Sequence, residues 1–395
     1  MYASGRGAFC IDHTIAGDGN DAHARRPRDH LERWDDIQVT SVLPTSHGDL
    51  PLPVFLPDAT RGVVRTLDAA DLAATGIKAV MVNALHLSHR PGASVVESLG
   101  GVHRFMGWDG PVVSDSGGYQ ALSLMAQSAA LGRVTDEGLW YRFDKREDKK
   151  LLTPEKCVER QCQLGADIVI ALDECTHPKA PAEVQQDSVR RTLEWAGRSK
   201  SELDRLNRNG RRPRLFAVVQ GGDDLALRRE CAEGLVRTGF DGYGFGGWPV
   251  DEKGALLDSV SAVAGMLPPD APKLALGVGR PDNVVAAYRA GYRIFDCTLP
   301  TRDGRHGRLY VFRGPATVAA LAGPSFHDTL DLTDERYVRD AAPPEPGCDC
   351  ACCARYTRAY LHHLLAVGDA TGARLATIHN LRFFARFFAL LGEMS

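Results

Sequence analysis

The stretch Arg293-Ile294-Phe295-Asp296-Cys297-Thr298-Leu299-Pro300-Thr301-Arg302, which runs on to Arg305 and Gly307, sets a carboxylate at the end of a short apolar run. A strand interior that gives way to a polar tip is how a parallel α/β protein presents a reactive group. Taken alone, the pattern also fits a strand end with a capping Asp before a turn. The rest of the chain favours the reactive reading, because similar tips recur. Asn83, Asp115, Asp173 with Glu174, Gln220-Gly221-Gly222, Gly246-Gly247, and Gly277 with Gly279 each stand just after an apolar run. Carboxylates can attack or move protons, and glycines let a flat ligand approach the backbone closely.

A second group points to a metal. Cys348, Cys350 and Cys353 form a CxCxxC pattern, and His379 follows 26 residues after Cys353. Three thiolates and one imidazole make a closed tetrahedral zinc site of the structural kind, with no position left for water. Thiolates also suit an iron–sulfur cluster, so ligand type alone favours zinc without fixing it. Cys352 is read as a neighbour, since the spacing is satisfied without it. His362 and His363 compete with His379 for the fourth position. The other six cysteines are scattered and read as small buried hydrophobes.

The elements that must position these groups follow a rhythm. Eight short apolar runs alternate with helix-like stretches: Val54–Leu56, Ala79–Val82, Pro111–Val113, Asp167–Ile170, Leu215–Val219, Tyr243–Phe245, Leu274–Leu276 and Arg293–Phe295. Helical spacing appears at Leu67–Leu72, Pro154–Leu164, Val184–Leu206, Leu225–Leu235, Leu256–Met266 and Pro281–Tyr288. Eight alternations over about 250 residues match a (β/α)8 TIM barrel in the α/β class, with the tips gathered at its C-terminal mouth. A doubly wound open sheet would use fewer strands. The expected division is a flexible tail over 1–34, a catalytic barrel over 35–322 and a zinc-binding subdomain with closing helices over 323–395. Residues 37–56 read as a hairpin turning at His47-Gly48-Asp49, with Val54–Leu56 as its second arm. Residues 323–347 read as an irregular excursion, followed by helices over Tyr356–Leu365 and from His379 to Leu391.

Composition bounds the rest. A chain of 395 residues, 44% hydrophobic and 25% charged, can bury a large core and is not disordered as a whole. Net charge is −3, so any polyanion must meet a local patch; the run Ala24-Arg25-Arg26-Pro27-Arg28 reads as a solvated tail. Nothing in the sequence reads as a signal peptide or a membrane span, and the expected compartment is the cytoplasm.

With these residues laid out, the chain resembles the tRNA-guanine transglycosylases (queuine/archaeosine tRNA-ribosyltransferases), from about residue 37 to 385. The motifs are Arg90-Pro91-Gly92, Ser114-Asp115-Ser116-Gly117-Gly118-Tyr119-Gln120, Asp173-Glu174-Cys175-Thr176, Val219-Gln220-Gly221-Gly222, Gly246-Gly247, Gly277-Val278-Gly279, Asp296-Cys297-x-x-Pro300-Thr301-Arg302 and the Cys348/Cys350/Cys353/His379 set. The resemblance implies an enzyme that swaps a guanine in tRNA for a 7-deazaguanine base, such as preQ1 or preQ0. It implies that Asp296 attacks the ribose C1′ and that Asp115 is the general acid/base, held by Asn83. Tyr119 would stack on the base. Asp173, Gln220 and the Gly247 backbone would read its edge, with Ser116, Gly246 and Gly277 also in the base site. Arg302 and Arg305 would grip phosphates near the target nucleotide. It further implies one structural zinc per chain and a homodimer.

Four departures from the family pattern bear on specificity. Trp248-Pro249-Val250-Asp251-Glu252 replaces a Leu-Ala-Val-Gly-Glu run, and Ala84-Leu85-His86 replaces Thr-Tyr-His. The segment from Gly307 to Cys348 is longer than usual. The sequence also closes 16 residues past His379, so a last helix is expected to be missing. The first two touch the base pocket; the others touch the surface used for docking and dimerisation. The same base exchange on DNA, and a silent subunit that only binds nucleic acid, are the competing readings. The presence of both Asp115 and Asp296 argues against silence.

Overall fold

In the computed structural model, which describes residues 41–207, 212–323 and 325–394, the eight apolar runs form one parallel sheet. Its strands are β1 (Val54–Pro57), β2 (Val80–Asn83), β3 (Val112–Asp115), β4 (Ile168–Ile170), β5 (Arg214–Val219), β6 (Gly242–Phe245), β7 (Lys273–Ala275) and β8 (Ile294–Cys297). Their order is β1-β8-β7-β6-β5-β4-β3-β2, and a parallel bridge between Asp58 and Met81 brings β1 back to β2. The expected eight-stranded barrel is the architecture of the chain. The expected tail over 1–34 and the run Ile37–Val39 lie outside the described residues.

Alternation along each strand decides what faces where. Val54, Leu56, Ala79, Met81, Val113, Ile168, Ile170, Phe216, Val218, Leu274 and Ile294 share one buried cluster, which fills the barrel interior. Their neighbours Phe55, Val80, Val82, Val112, Val169, Ala217 and Phe295 belong to the larger cluster beneath the outer helices. Helices begin where the sequence supplies caps. Asp68, Asn83, Thr153 and Asp224 each accept a backbone N–H from the first turn that follows.

Three expectations are corrected. The hairpin pairs Val42–Thr45 with Gly48–Pro51, whereas Val54–Pro57 pairs in parallel with β8. Val54–Pro57 is buried at every position, so it belongs inside a sheet rather than on an exposed ribbon. The hairpin instead puts Leu43 and Leu50 into the interior cluster and plugs the N-terminal end of the barrel. Its turn is clasped by Asp167. One Asp167 oxygen accepts His47 Nδ1 and the His47 backbone N–H, at 2.9 and 3.1 Å. The other accepts His103 Nε2 and the Val112 N–H, at 3.0 and 2.9 Å. Burial opposes ionisation of Asp167, but the bonds from His103, Val112 and His47 hold its pKa down at about 2.

Residues 323–347 are less irregular than expected, because His327–Asp331 pairs antiparallel with Arg308–Phe312. The last helix runs Ala370–Gly392, capped by Asp369, so His379 lies within the helix and not at its start. Phe383, Phe384, Phe387 and Phe388 are buried along that helix, and Phe384 meets Phe55 of β1 with ring centroids 4.6 Å apart. The helix is thereby fixed to the outside of the barrel, carrying His379 with it. Among the described residues, no helix is long and apolar enough to cross a membrane.

Candidate active site and metal centre

The interior rows of the strands predict which residues reach the mouth. Continuing each row by two positions from Leu56, Met81, Val113, Val218 and Ile294 arrives at Asp58, Asn83, Asp115, Gln220 and Asp296. The strand that buries its apolar residues inward thus aims its next inward side chain into the cavity above the core.

Asn83 is spoken for at both ends of its amide. Its oxygen accepts the His86 N–H at 3.1 Å, capping the helix Ala84–His89, and its Nδ2 donates to Asp115 Oδ2 at 2.8 Å. Burial raises the Asp115 pKa to about 6, against bonds from the Gly117 and Ser116 backbone and from Asn83; the Asp58 charge adds to the rise. Asp296 Oδ1 accepts the Gly277 N–H at 3.1 Å. Gly277 has φ 74°, a left-handed backbone that suits glycine and turns its N–H to the carboxylate. Burial lifts Asp296 to about 7, and the Asp115 and Asp58 charges reinforce it. Asp296 therefore senses the Asp115 charge, and both carboxyl groups are raised from the usual carboxylate range toward neutral pH.

A second polar group lies across the mouth. Gln220 Nε2 donates to Asp173 Oδ2 at 2.6 Å. Burial raises the Asp173 pKa to about 7, with Gln220 opposing and Asp115 adding. A Cβ on Gly246 would collide with the Gln220 amide, so the residue must be glycine for the amide to lie flat there. Glu174, next to Asp173, is anchored by Arg191 in a two-pronged ion pair of 2.5 and 3.2 Å and by Thr192 and Ser188 on its backbone. The Gly247 N–H lies against the Cys175 thiol, whose pKa burial pushes up. Ser116 is buried and its hydroxyl accepts the Gly118 N–H at 3.2 Å, so it shapes the turn into the helix Gly118–Gln127. Tyr119, 50% exposed on that helix, meets Trp248 edge-on at 5.9 Å, and Trp248 meets His177 at 5.3 Å.

Arg302 and Arg305 lie on the helix Leu299–Arg305 directly after β8. Burial, then the Arg65 cation, lowers the Arg305 pKa, with Arg302 adding to the effect. Cations crowded in this way gain from an anion placed among them.

At the other end of the same segment, one ligand atom from each of Cys348, Cys350, Cys353 and His379 lies within 4.8 Å of the rest. His379 Nδ1 is 3.8, 3.7 and 3.2 Å from the three sulfurs. The sulfur–nitrogen edge of a tetrahedral zinc site with ordinary bond lengths is about 3.5 Å. His379 Nε2 donates to the Tyr310 carbonyl at 2.7 Å, which orients the ring with Nδ1 aimed at the thiols. The donor set therefore fits a metal ion. Cys352 falls outside the group, and His362 is turned to the Leu332 carbonyl at 2.9 Å.

A family model described as queuine tRNA-ribosyltransferase matches residues 38–392. The chain belongs to that family. A queuine tRNA-ribosyltransferase of Thiobacillus denitrificans is 40% identical over 360 residues, which is 91% of this chain and 92% of that one. The Novosphingobium aromaticivorans protein of the same name is 38% identical over 351 residues, 89% of each chain. That of Actinobacillus pleuropneumoniae serotype 3 is 40% identical over 358 residues, 90% of this chain and 88% of that one. Membership makes this chain an enzyme of the pentosyl-transferring kind.

Two residues of this queuine tRNA-ribosyltransferase family member escape sequence reasoning. Asp58 stands at the end of β1, held by the Thr60 N–H at 3.0 Å and the Thr60 hydroxyl, and its charge reaches both Asp115 and Asp296. Its signal is its place two positions past Leu56 on an inward row. Arg228 is 2% exposed and donates to the carbonyls of Gly222, Val219 and Gly246 at 2.9, 2.6 and 2.9 Å, with its guanidinium 4.2 Å from the Phe245 ring. It ties the ends of β5 and β6 together on either side of Gln220. Only its place on an amphipathic helix is legible in sequence, and that predicts a solvated Arg.

Proposed function

We propose that this enzyme exchanges a guanine in tRNA for a 7-deazaguanine base through a covalent glycosyl-enzyme. The observation that carries the reading is the pair Asp296 and Asp115 at one barrel mouth, both raised toward neutrality chiefly by burial, with the Asp58 charge adding to each and the Asp115 charge adding to Asp296. Asp296 attacks C1′ of the target ribose as its carboxylate. The bond from C1′ to guanine breaks, its electron pair goes to the base, and Asp115 supplies a proton to a ring nitrogen. The incoming base gives its ring proton to Asp115 and attacks C1′, which frees Asp296. Two displacements at one carbon leave the sugar configuration unchanged.

The base would lie between Tyr119 and the groups that read its edge. Ionised Asp173 accepts the two N–H donors of a guanine-like edge, while Gln220 and the Gly247 N–H face its carbonyl. Ser116, Gly246 and Gly277 shape the pocket through their backbone. A guanine inside a duplex is out of reach, so the target must be unpaired or flipped out, with Arg302 and Arg305 on nearby phosphates. The barrel over 35–322 carries the chemistry. In the segment over 323–395, Cys348, Cys350, Cys353 and His379 hold one zinc, which supplies a structural cross-link and no catalysis. A cytoplasmic homodimer completes the reading; the exposed Tyr360 ring stacked on Tyr356 is one surface open to a second copy.

The test mixes the enzyme with bulk tRNA or with DNA, plus labelled guanine, and asks which polymer becomes labelled. Label in tRNA supports the reading, and label only in DNA replaces the substrate. Asp296→Asn should bind tRNA yet form no denaturation-resistant adduct. An adduct with that variant would falsify the assignment of the nucleophile.

A further inference from the structure

The helix Ala182–Leu206 meets the loop after β4 with polar side chains. Gln185, Ser188, Arg191 and Thr192 follow one another at helical spacing, which places them on one face. Gln185, Ser188 and Thr192 are buried, and Arg191 is largely so. All four bond to that loop. Ser188 Oγ donates to the Glu174 carbonyl at 2.6 Å, and Thr192 Oγ1 accepts the Glu174 N–H at 3.1 Å. Arg191 forks onto the Glu174 carboxylate at 2.5 and 3.2 Å. Gln185 accepts the Thr176 hydroxyl at 2.6 Å and donates to the His177 carbonyl at 2.9 Å. The peptide groups on both sides of Glu174 are therefore held, and the first of them joins it to Asp173.

Stability alone does not ask for such a face. Apolar side chains of similar volume commonly serve a buried contact as well as an ion pair does, whereas removing one partner of the pair strands a charge. What the face controls is the neighbouring residue. Asp173 directs its carboxylate to Gln220 in the mouth, at 2.6 Å. It also has little slack, because a Cβ on Gly118 would come within 2.8 Å of the Asp173 carbonyl and 3.4 Å of its Oδ1.

The charges are arranged to the same end. Burial raises the Glu174 pKa, the Arg191 bond and charge oppose it, Asp187 adds to the rise and Arg190 opposes. Arg191 also lies 3.5 Å from Asp136 and 3.7 Å from Asp187, both exposed. The Glu174 charge adds to the raised pKa of Asp173, as the Asp115 charge does. Cys157, Cys175 and Cys231 also face Asp173, but burial pushes their thiols up and they stay neutral.

We propose that Ser188, Arg191 and Thr192 are positioning residues for base recognition: they grip Glu174 so that the adjoining Asp173 carboxylate meets the N–H donors of the base, and Arg191 keeps the Glu174 charge from being felt there. The proposal rests on the base-exchange reading above, in which Asp173 accepts those donors.

The test measures exchange of labelled guanine into tRNA by the full chain, with KM for the free base and kcat at saturating base followed across pH. The variants are Arg191→Gln, Arg191→Lys, Arg191→Gln/Glu174→Gln, Ser188→Ala and Thr192→Val. Arg191→Gln should raise the base KM at pH 7 roughly five- to hundredfold, with a smaller fall in kcat. The lost affinity should return at higher pH than in wild type, because Asp173 and an uncompensated Glu174 then ionise as a coupled pair. Adding Glu174→Gln removes the stranded charge and should bring KM back to within about threefold of wild type. A loss of structure alone would show no such rescue. Arg191→Lys offers a point charge in place of a fork and should fall between. Ser188→Ala and Thr192→Val should each raise KM more than they lower kcat.

A folded Arg191→Gln with the wild-type KM at every pH would overturn the proposal, as would a raised KM that Glu174→Gln fails to restore. If Arg191→Gln does not fold, as judged by thermal melting, a wild-type KM in Ser188→Ala and Thr192→Val overturns it instead. Wild-type exchange keeps the two readings apart. No label in any tRNA removes the base-exchange reading, whereas exchange with KM unmoved in the variants removes the positioning role alone.

Discussion

The Asn83 amide holds Asp115 by one end and caps the next helix by the other, with bonds of 2.8 Å to Asp115 Oδ2 and 3.1 Å from the His86 N–H. The cap fixes which way the amide points. Its NH2 group can only donate to Asp115, and a donated bond favours the ionised carboxylate. Asn83→Ala should therefore raise the Asp115 pKa above its present value of about 6. The pH profile of kcat/KM needs one carboxylate and one proton shared between Asp115 and Asp296, so it should be bell-shaped with limbs near pH 6 and 7. In Asn83→Ala the lower limb should move to higher pH, because the carboxyl group that must carry the proton then holds it more tightly. A profile that drops in height without moving would mean that Asn83 only supports the helix.

Arg228 makes a different kind of claim, about position. It donates three hydrogen bonds to carbonyls around Gln220 and touches neither Asp115 nor Asp296. Arg228→Met keeps much of the volume but leaves those carbonyls without a donor, a loss of about 3 kcal/mol in stability. The base should also bind more weakly, because Gln220 and Gly246 are no longer held in register. Calorimetry and base affinity decide it: a lower thermal midpoint with unaltered base binding would confine Arg228 to stability.

The metal cluster predicts a separation between fold and chemistry. His379 sits within the helix Ala370–Gly392, whose phenylalanines pack on β1, so the cluster ties that helix to the segment Cys348–Cys353. Metal analysis should find about one zinc per chain, held by three thiolates and one imidazole. Cys353→Ser should lose the metal and lower the melting temperature, and its remaining activity should follow the folded fraction. A metal-free chain that melts like wild type would remove the structural role.

Most of the architecture is legible because an apolar run with a polar tip is a strong local signal. Asp115, Gln220 and Asp296 each follow such a run and each lands in the mouth. Asp58 follows one too, but reading Val54–Leu56 as a hairpin arm hides it, since an arm of an exposed ribbon aims at no mouth. What reveals the correct pairing is burial at all four positions of Val54–Pro57, a property of the assembled sheet and not of the run. Arg228's burial and the place of His379 inside its helix are hidden for related reasons. A buried Arg looks like a solvated one until its carbonyl partners are in place. A histidine within a helix looks like a helix start when the preceding residues, Ala370 to Ile378, carry little charge contrast.

Trp248 carries the last prediction, which concerns the incoming base. The family pattern has Leu at this place, and the indole here is turned to Tyr119 and His177, with ring centroids 5.9 and 5.3 Å away. It therefore borders the same mouth as the ring proposed to stack on the base. Pro249 stiffens the backbone behind it and lies close to Gly277, where a Cβ would come within 3.8 Å of the proline ring. An indole fills far more volume than a leucine, so a bulky substituent at the 7-position should be excluded. An aminomethyl group also brings a charge that must shed water against the ring edge, a cost that a compact nitrile avoids. Wild type should prefer the nitrile base to the aminomethyl base, and Trp248→Leu should narrow or reverse that preference. The measurement is competition among guanine, the nitrile base and the aminomethyl base for incorporation into one tRNA. Equal use of the two deazaguanines by wild type, unaltered in Trp248→Leu, would show that the choice is made elsewhere in the pocket.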